Sequence, residues 1–372
     1  MASGASTAAG GGWPLRAALG AAAGALHSSP PRETPLVELA SLSAATGCRI
    51  LAKCEHLHPG GSVKDRAAHA LVAAAEAAGA LQPGGEIVQA TGGNTGISLA
   101  MIAAARGYRC RVFMPANVSA DKIELLRLLG ARVELCPLAK ISEPENYVRR
   151  AEAYAAETPD AVNPDQFEDT VNADAHYGGT GPEIWAQAGG RVDGFVCAAG
   201  TGGTIAGVST YLKEQNPACT VRLIDPTGSG LKSFVENGEF LSSGSCFIDG
   251  IGIGRLTANF ARARVDGAFR GDDREAIECA HYLLRREGVF VGPSAALNVV
   301  GAVKLARELA AKAASDRGAE RPTVVTILCD GGERYRSTTF NAAWLADKGL
   351  TPTAEGADLS FIGDANVGCS RP

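Results

Sequence analysis

Residues 51–66 read LAKCEHLHPGGSVKDR, and the place of Lys64 in that stretch decides the fold of the chain. Pro59, Gly60 and Gly61 make a turn, which sets Lys64 at the mouth of a glycine turn rather than on a solvated helix face. A lysine so placed could hold an aldehyde cofactor by its amine. Short glycine–lysine patterns also match by chance, so on this segment alone a surface lysine stays open as the alternative. Three segments further along bear on the choice.

The first is Thr91-Gly92-Gly93-Asn94-Thr95-Gly96, between the apolar pair Ile87-Val88 and an alanine-rich stretch over 97–105, a sequence that reads as strand, turn, helix. A helix start offers unpaired N–H groups and the positive end of a dipole, which suits the carboxylate of an amino-acid substrate. An ordinary strand-to-helix connection would look the same. The second, Gly200-Thr201-Gly202-Gly203-Thr204, follows the apolar strand Gly194-Phe195-Val196-Cys197. Its glycines let the main chain approach a ligand without Cβ clashes, and its amides and two hydroxyls can converge on a phosphate. It does not spell the G-x-G-x-x-G fingerprint of a dinucleotide site, so a single phosphate is expected. The third is Val291-Gly292-Pro293-Ser294-Ala295-Ala296, whose serine reads either as the N-cap of a helix over 295–310 or as a polar group facing a ligand.

In this order the segments resemble the cysteine synthase and cystathionine β-synthase family, the pyridoxal-phosphate enzymes of fold type II, with cysteine synthase the nearer match. The likeness includes Thr34-Pro35-Leu36, Gln166-Phe167, Thr180-Gly181-Pro182-Glu183, Gly250-Ile251-Gly252 and Gly332-Glu333-Arg334-Tyr335, and runs from about Thr34 to Thr339. It implies a two-domain α/β fold like that of the tryptophan synthase β chain, with pyridoxal 5'-phosphate in the cleft and a homodimer as the assembly. By the same resemblance Lys64 carries the cofactor and acts as the catalytic base. Asn94 meets the ring oxygen, Gly200, Thr201, Gly202, Gly203 and Thr204 hold the phosphate, and Ser294 faces the pyridine nitrogen. Thr91, Gly92, Asn94, Thr95 and Gln166 fall to the amino-acid substrate.

The reaction so implied is β-replacement, O-acetyl-L-serine and sulfide giving L-cysteine. A neutral hydroxyl at the pyridine nitrogen makes a weaker electron sink than a carboxylate would, which favours loss of a β-substituent over transamination. Two positions depart from the family: Gly92 stands where serine is usual, and His58 where asparagine precedes Pro-Gly-Gly. Cystathionine β-synthase or cysteine desulfhydrase activity would share these residues, and a catalytically silent scaffold would share the fold. Dehydratases of the fold typically carry Asn-His where this chain has Asn94-Thr95. Nothing resembles a haem-binding leader or a C-terminal regulatory domain.

Composition agrees. The chain has 372 residues, enough for two cored domains, with 46% hydrophobic and 20% charged residues, as in a globular enzyme. A net charge of −5 argues against a general nucleic-acid binder. Ten cysteines without a C-x-x-C pair read as reduced core residues of an intracellular protein, cytoplasmic or, if the leader is a transit peptide, mitochondrial or plastid. Residues 1–30 form that low-complexity leader; their mildly apolar stretch Trp13 to Leu26 is interrupted by Arg16 and too short to span a bilayer, so no membrane association is expected. Residues 31–349 form the catalytic region, with a smaller mobile subdomain over roughly 75–180, and 350–372 a tail.

Cys54, His56 and His58 alternate along an expected strand, yet no fourth ligand is in view and no metal is expected. Strands are expected over Arg109–Met114, Ala131–Cys136, Thr220–Ile224 and Pro322–Cys329, and helices over Asp121–Leu129 and Asp273–Glu287. That alternation implies mostly parallel sheets covered by helices on both faces.

Overall fold

The computed structural model describes residues 31–118, 120–314 and 320–363, and its strands fall into two sheets. In chain order these are β1 (Leu36–Glu38), β2 (Arg49–Lys53), β3 (Glu86–Ala90), β4 (Arg109–Pro115), β5 (Arg132–Cys136), β6 (Ala161–Val162), β7 (Gly194–Cys197), β8 (Thr220–Pro226), β9 (Gly267–Gly271) and β10 (Thr323–Ile327). The larger sheet runs β1-β2-β10-β7-β8-β9 and the smaller β5-β4-β3-β6. Every pairing is parallel except that of β1 with β2.

Parallel sheets need both faces covered, so their central strands are buried along their whole length. All of β10 and all of β7 are buried. The helices are α1 (Ala40–Thr46), α2 (Lys64–Ala77), α3 (Asn94–Arg106), α4 (Ala120–Leu128), α5 (Tyr147–Glu157), α6 (Val171–Ala175), α7 (Gly181–Gln187), α8 (Gly203–Gln215), α9 (Leu231–Asn237), α10 (Asp273–Tyr282), α11 (Pro293–Ala313) and α12 (Ala342–Asp347). Helix α11 crosses the larger sheet so closely that a Cβ on Gly301 would stand 2.9 Å from Val196 and from Ile224. The smaller sheet has its own core, in which Ile87, Ile97, Leu99, Val112 and Leu126 meet.

The expected strands and helices are present with ends shifted by a few residues, and two local readings change. Strand β2 stops at Lys53, and Glu55–Leu57 form a single 3-10 turn, so Cys54, His56 and His58 do not alternate along a strand. The helix expected over Asp273–Glu287 is α-helical only to Tyr282 and continues as a π turn over Leu283–Glu287. Its start is fixed by a capping box between Asp272 and Glu275, each side chain bonding the other's backbone N–H.

The nine described cysteines are free thiols, most of them buried. Among the described residues no helix is long and apolar enough to cross a membrane. The expected leader over 1–30 and the end of the tail lie outside the described residues. The described part of the tail packs on the larger unit, where Leu359 and Ile362 join its core and Thr353 N donates to Glu278.

Candidate active site

The Lys64 turn and the two glycine turns singled out in the sequence follow carboxyl ends of parallel strands, where open α/β sheets bind ligands, whereas the Ser294 segment follows the π turn at the end of α10. Strand β2 leads to the Lys64 turn, β3 to Thr91–Thr95, β7 to Gly200–Thr204, and β10 to Asp330. They meet at a cavity of about 490 Å³, lined among others by Lys64, Thr91, Gly92, Asn94, Thr95, Gln166, Gly200, Thr201, Gly202, Thr204 and Ser294. Of the expected site residues only Gly203 is absent from that lining.

Lys64 is the first residue of α2, and its turn is pinned from behind. Gly61 takes φ +72°, which a glycine adopts freely. Asp65 accepts from Gly60 N at 2.6 Å and from Ser98 Oγ at 2.6 Å, tying the turn to α3. Below it, Arg66 donates to both oxygens of Glu55 and of Glu183. His58, the departure beside the turn, lies 3.2 Å from Glu55 Oε2 in the same buried network. Cys197 and Cys329 also line the cavity near Lys64, and burial pushes the Cys329 thiol up to about 12 and Cys197 well above its ordinary value. Both therefore stay protonated and weakly nucleophilic.

Asn94 is held at both ends. Its Nδ2 donates to Asp330 Oδ2 at 2.7 Å, while Arg334 donates to its Oδ1 and to Gly60 O. A carboxylate only accepts and a guanidinium only donates, so the amide has a single orientation and one Nδ2 hydrogen remains to give. Tyr335 OH also donates to Asp330, at 2.5 Å. In the neighbouring turn Thr95 Oγ1 donates to Gln166 Oε1 at 2.7 Å, which brings the two expected substrate residues together. A Cβ at Gly92 would find nothing nearer than Val118 Cγ2 at 4.0 Å, and Gly92 is not among the positive-φ residues, so a side chain there has both room and backbone.

The glycines of the 200–204 loop are demanded by the protein around them. A Cβ on Gly200 would stand 2.2 Å from Gly250 O, one on Gly202 2.5 Å from Phe260 Cβ, and one on Gly203 2.1 Å from Asn172 Oδ1. Gly203 thus admits Asn172, whose Nδ2 donates to Gln166 O and, at 3.0 Å, to Thr201 Oγ1. Accepting that bond leaves the Thr201 hydroxyl proton free to donate. The free N–H groups at the start of α8 add further donors.

Ser294 is not a helix cap. Gly292 is the N-cap of α11 and Pro293 its first residue, while Ser294 follows inside the helix with its Oγ 3.5 Å from Asp330 Oδ1. The sequence patterns did not reach Asp330, Asn172, His176, Lys122 or Asp249. Lys122 Nζ bonds Asp249 Oδ2 at 2.6 Å and stands over the Tyr335 ring, both partners lining the cavity. Nothing in the amphipathic pattern of α4 marks Lys122 as different from a solvated lysine.

A one-ring phosphorylated aldehyde matches this donor set: an amine at Lys64, an uncommitted amide hydrogen on Asn94, and a glycine loop with a free hydroxyl proton and a helix start. The cavity volume lies within the ~300–1,000 Å³ usual for small-ligand sites.

Residues 28–330 match the family model described as pyridoxal-phosphate dependent enzyme. The chain is 44% identical over 340 residues to the cysteine synthase of Dictyostelium discoideum, covering 88% of this chain and 87% of that one. It is 46% identical over 322 residues to cysteine synthase 1 of Emericella nidulans, covering 85% of each. Among solved structures, the O-acetylserine dependent cystathionine beta-synthase from Helicobacter pylori superposes with a TM-score of 0.73 at 30% identity, over 84% of this chain and 97% of that one.

Proposed function

The chain belongs to the pyridoxal-phosphate dependent enzyme family, and from that premise we propose that it is a β-replacement enzyme of cysteine synthase type, making L-cysteine from O-acetyl-L-serine and sulfide. The observation that carries this reading is the meeting of Lys64, the Thr91–Thr95 turn and the Gly200–Thr204 loop around one cavity. The relatives named cysteine synthase support the choice of reaction.

When bound, the cofactor supplies an aldehyde carbon for an amino group and a ring that accepts charge from Cα. The residues do the rest. Lys64 Nζ holds the cofactor, takes the proton from Cα of the serine derivative and returns it to Cα of the product. Thr91, Asn94, Thr95 and Gln166 orient the substrate carboxylate, helped by the N–H groups at the start of α3. Gly92 contributes backbone to that turn and no hydroxyl. The Gly200–Thr204 loop anchors the phosphate at the start of α8. Ser294 would offer the pyridine nitrogen a neutral hydroxyl, which would keep charge at Cα short-lived and favour departure of the β-substituent.

The test is product analysis on purified protein. O-acetylserine with sulfide should give L-cysteine faster than serine with homocysteine gives cystathionine, and the reverse order would replace the reading by cystathionine β-synthase. Cysteine broken down to sulfide as the main reaction would make it a desulfhydrase. A colourless protein without bound cofactor would point to a silent scaffold. The family resemblance also carries a homodimer, which sedimentation tests, and a smaller unit around β3–β6 that closes over substrate. A cytoplasmic, mitochondrial or plastid location goes with the same reading and is tested by imaging the full chain.

A further inference from the structure

His176 sits behind the Gly200–Thr204 loop at 1% exposure, at the head of a π turn over His176–Thr180 between α6 and α7. Single π turns often mark functional places in helices. Its Nδ1 lies 2.8 Å from Thr180 Oγ1 and its Nε2 3.2 Å from Thr204 Oγ1. Helix α8 is pressed onto this turn, for a Cβ on Gly207 would stand 2.3 Å from Ala173 O and 2.7 Å from His176 Cβ. Burial drives the imidazole down to about 3, so it is neutral at any pH the protein works at. A neutral imidazole has one N–H and one lone pair, and its two tautomers give Thr204 opposite roles.

With the proton on Nδ1, Nε2 can only accept, and the Thr204 hydroxyl proton is consumed by the ring. With the proton on Nε2, the ring donates to Thr204 Oγ1 and the hydroxyl proton is left for the cavity. A phosphate dianion needs donors, so only the second arrangement lets Thr204 serve it. Thr201 is arranged in the same sense, with Asn172 Nδ2 donating to its oxygen from behind.

We propose that His176 is a positioning residue: as its Nε2–H tautomer, with Nδ1 accepting from the Thr180 hydroxyl, it turns the Thr204 hydroxyl proton toward the cofactor phosphate. The inference rests on the assignment of the 200–204 loop to the phosphate made above. The chain of donation is Thr180 O–H to His176 Nδ1, His176 Nε2–H to Thr204 Oγ1, and Thr204 O–H to a phosphate oxygen. No proton is transferred along it, and each group keeps its own.

The test compares Thr180→Val, Thr180→Ser, His176→Gln and Thr204→Val holoenzymes with the parent protein. Three readings are taken: retention of pyridoxal phosphate on dialysis, the phosphorus resonance of the bound cofactor, and the histidine nitrogen resonances that report the tautomer. Thr180→Val keeps shape but removes the donor to Nδ1. It should leave Nδ1 without a partner and loosen the ring behind Thr204, moving the phosphorus signal and weakening cofactor retention by up to roughly tenfold to a hundredfold, the effect of losing a bond to a charged group.

Thr180→Ser should behave as the parent, and His176→Gln, whose amide N–H can stand where Nε2 does, should restore most of the retention. A parent protein with the proton on Nδ1 would overturn the proposal, as would a Thr180→Val variant that leaves phosphorus signal and retention unchanged. Thr204→Val separates the two claims. If it leaves retention and phosphorus signal as in the parent, the loop assignment itself fails; if it alone weakens them, the loop stands and the His176 relay fails.

Discussion

Lys122 Nζ bonds Asp249 Oδ2 at 2.6 Å, joining α4 of the smaller-sheet unit to the loop before Gly250 at the rim of the cavity. The two ends of this pair are in different surroundings, with side-chain exposures of 5% for Lys122 and 63% for Asp249. Removing Asp249 strands a buried ammonium whose remaining company is the Tyr335 ring, whereas removing the Lys122 charge leaves a carboxylate that water can solvate. Asp249→Ala should therefore lower stability by about 1–3 kcal/mol and Lys122→Met by less, read from denaturant unfolding. Equal losses would mean the amine does not depend on Asp249.

Gly92→Ser tests the missing hydroxyl of the substrate turn. The open space and ordinary backbone at Gly92 mean that the serine should be accommodated without loss of melting temperature. One added hydrogen bond from the serine hydroxyl to the charged substrate carboxylate, about 1.5–3 kcal/mol, should tighten O-acetylserine roughly tenfold to a hundredfold with cofactor absorbance unchanged. Unchanged substrate binding would show that water or Thr91 already fills the role.

Acid should strike the network under the Lys64 turn. Burial alone would raise the Glu55 carboxyl, but hydrogen bonds from His58 and Arg66 and the Arg66 charge hold it well below its ordinary 4.5. A carboxyl lowered on folding stabilises the native state above its unfolded value, and that contribution is lost as pH falls through 4.5 toward the folded value. Glu183 is lowered in the same way, by Arg66 and Lys53 against its burial. Glu55→Gln should cost about 3–5 kcal/mol at pH 7, as when a buried pair loses one partner, and should flatten the fall of melting temperature below about pH 5. Parallel curves for parent and variant would remove Glu55 from the acid transition.

Ser294→Ala should slow loss of the β-substituent while leaving the cofactor in place. Because Gly292 and not Ser294 caps α11, no cap energy is at stake, and unfolding should change by about 1 kcal/mol or less. Release of cofactor as the main effect would mean that Ser294 binds more than it tunes.

Much of the fold was legible because the parallel strands are short apolar runs between glycine turns, as at Gly194–Cys197 before Gly200 and Thr323–Ile327 before Asp330. The glycine turns were legible too, since close packing leaves no choice at Gly200, Gly202 and Gly203. What sequence could not give were groups brought in from elsewhere by the fold. Asp330 reaches Asn94 across 236 positions, Asn172 reaches Thr201 from an unmarked helix, and Lys122 differs from its solvated neighbours only by where α4 packs. The cysteine and histidine alternation misled because nothing in the residues shows that β2 ends at Lys53 and the chain turns.

The most direct test of the account is to reduce the purified holoenzyme with borohydride, fixing the cofactor to the amine it is bonded to, and to map the modified lysine by peptide mass. Two lysines line the cavity, Lys64 at the start of α2 and Lys122 on α4. The account predicts the cofactor on Lys64 and none on a Lys64→Ala protein. Modification of Lys122 or of any other lysine in the parent protein would contradict it.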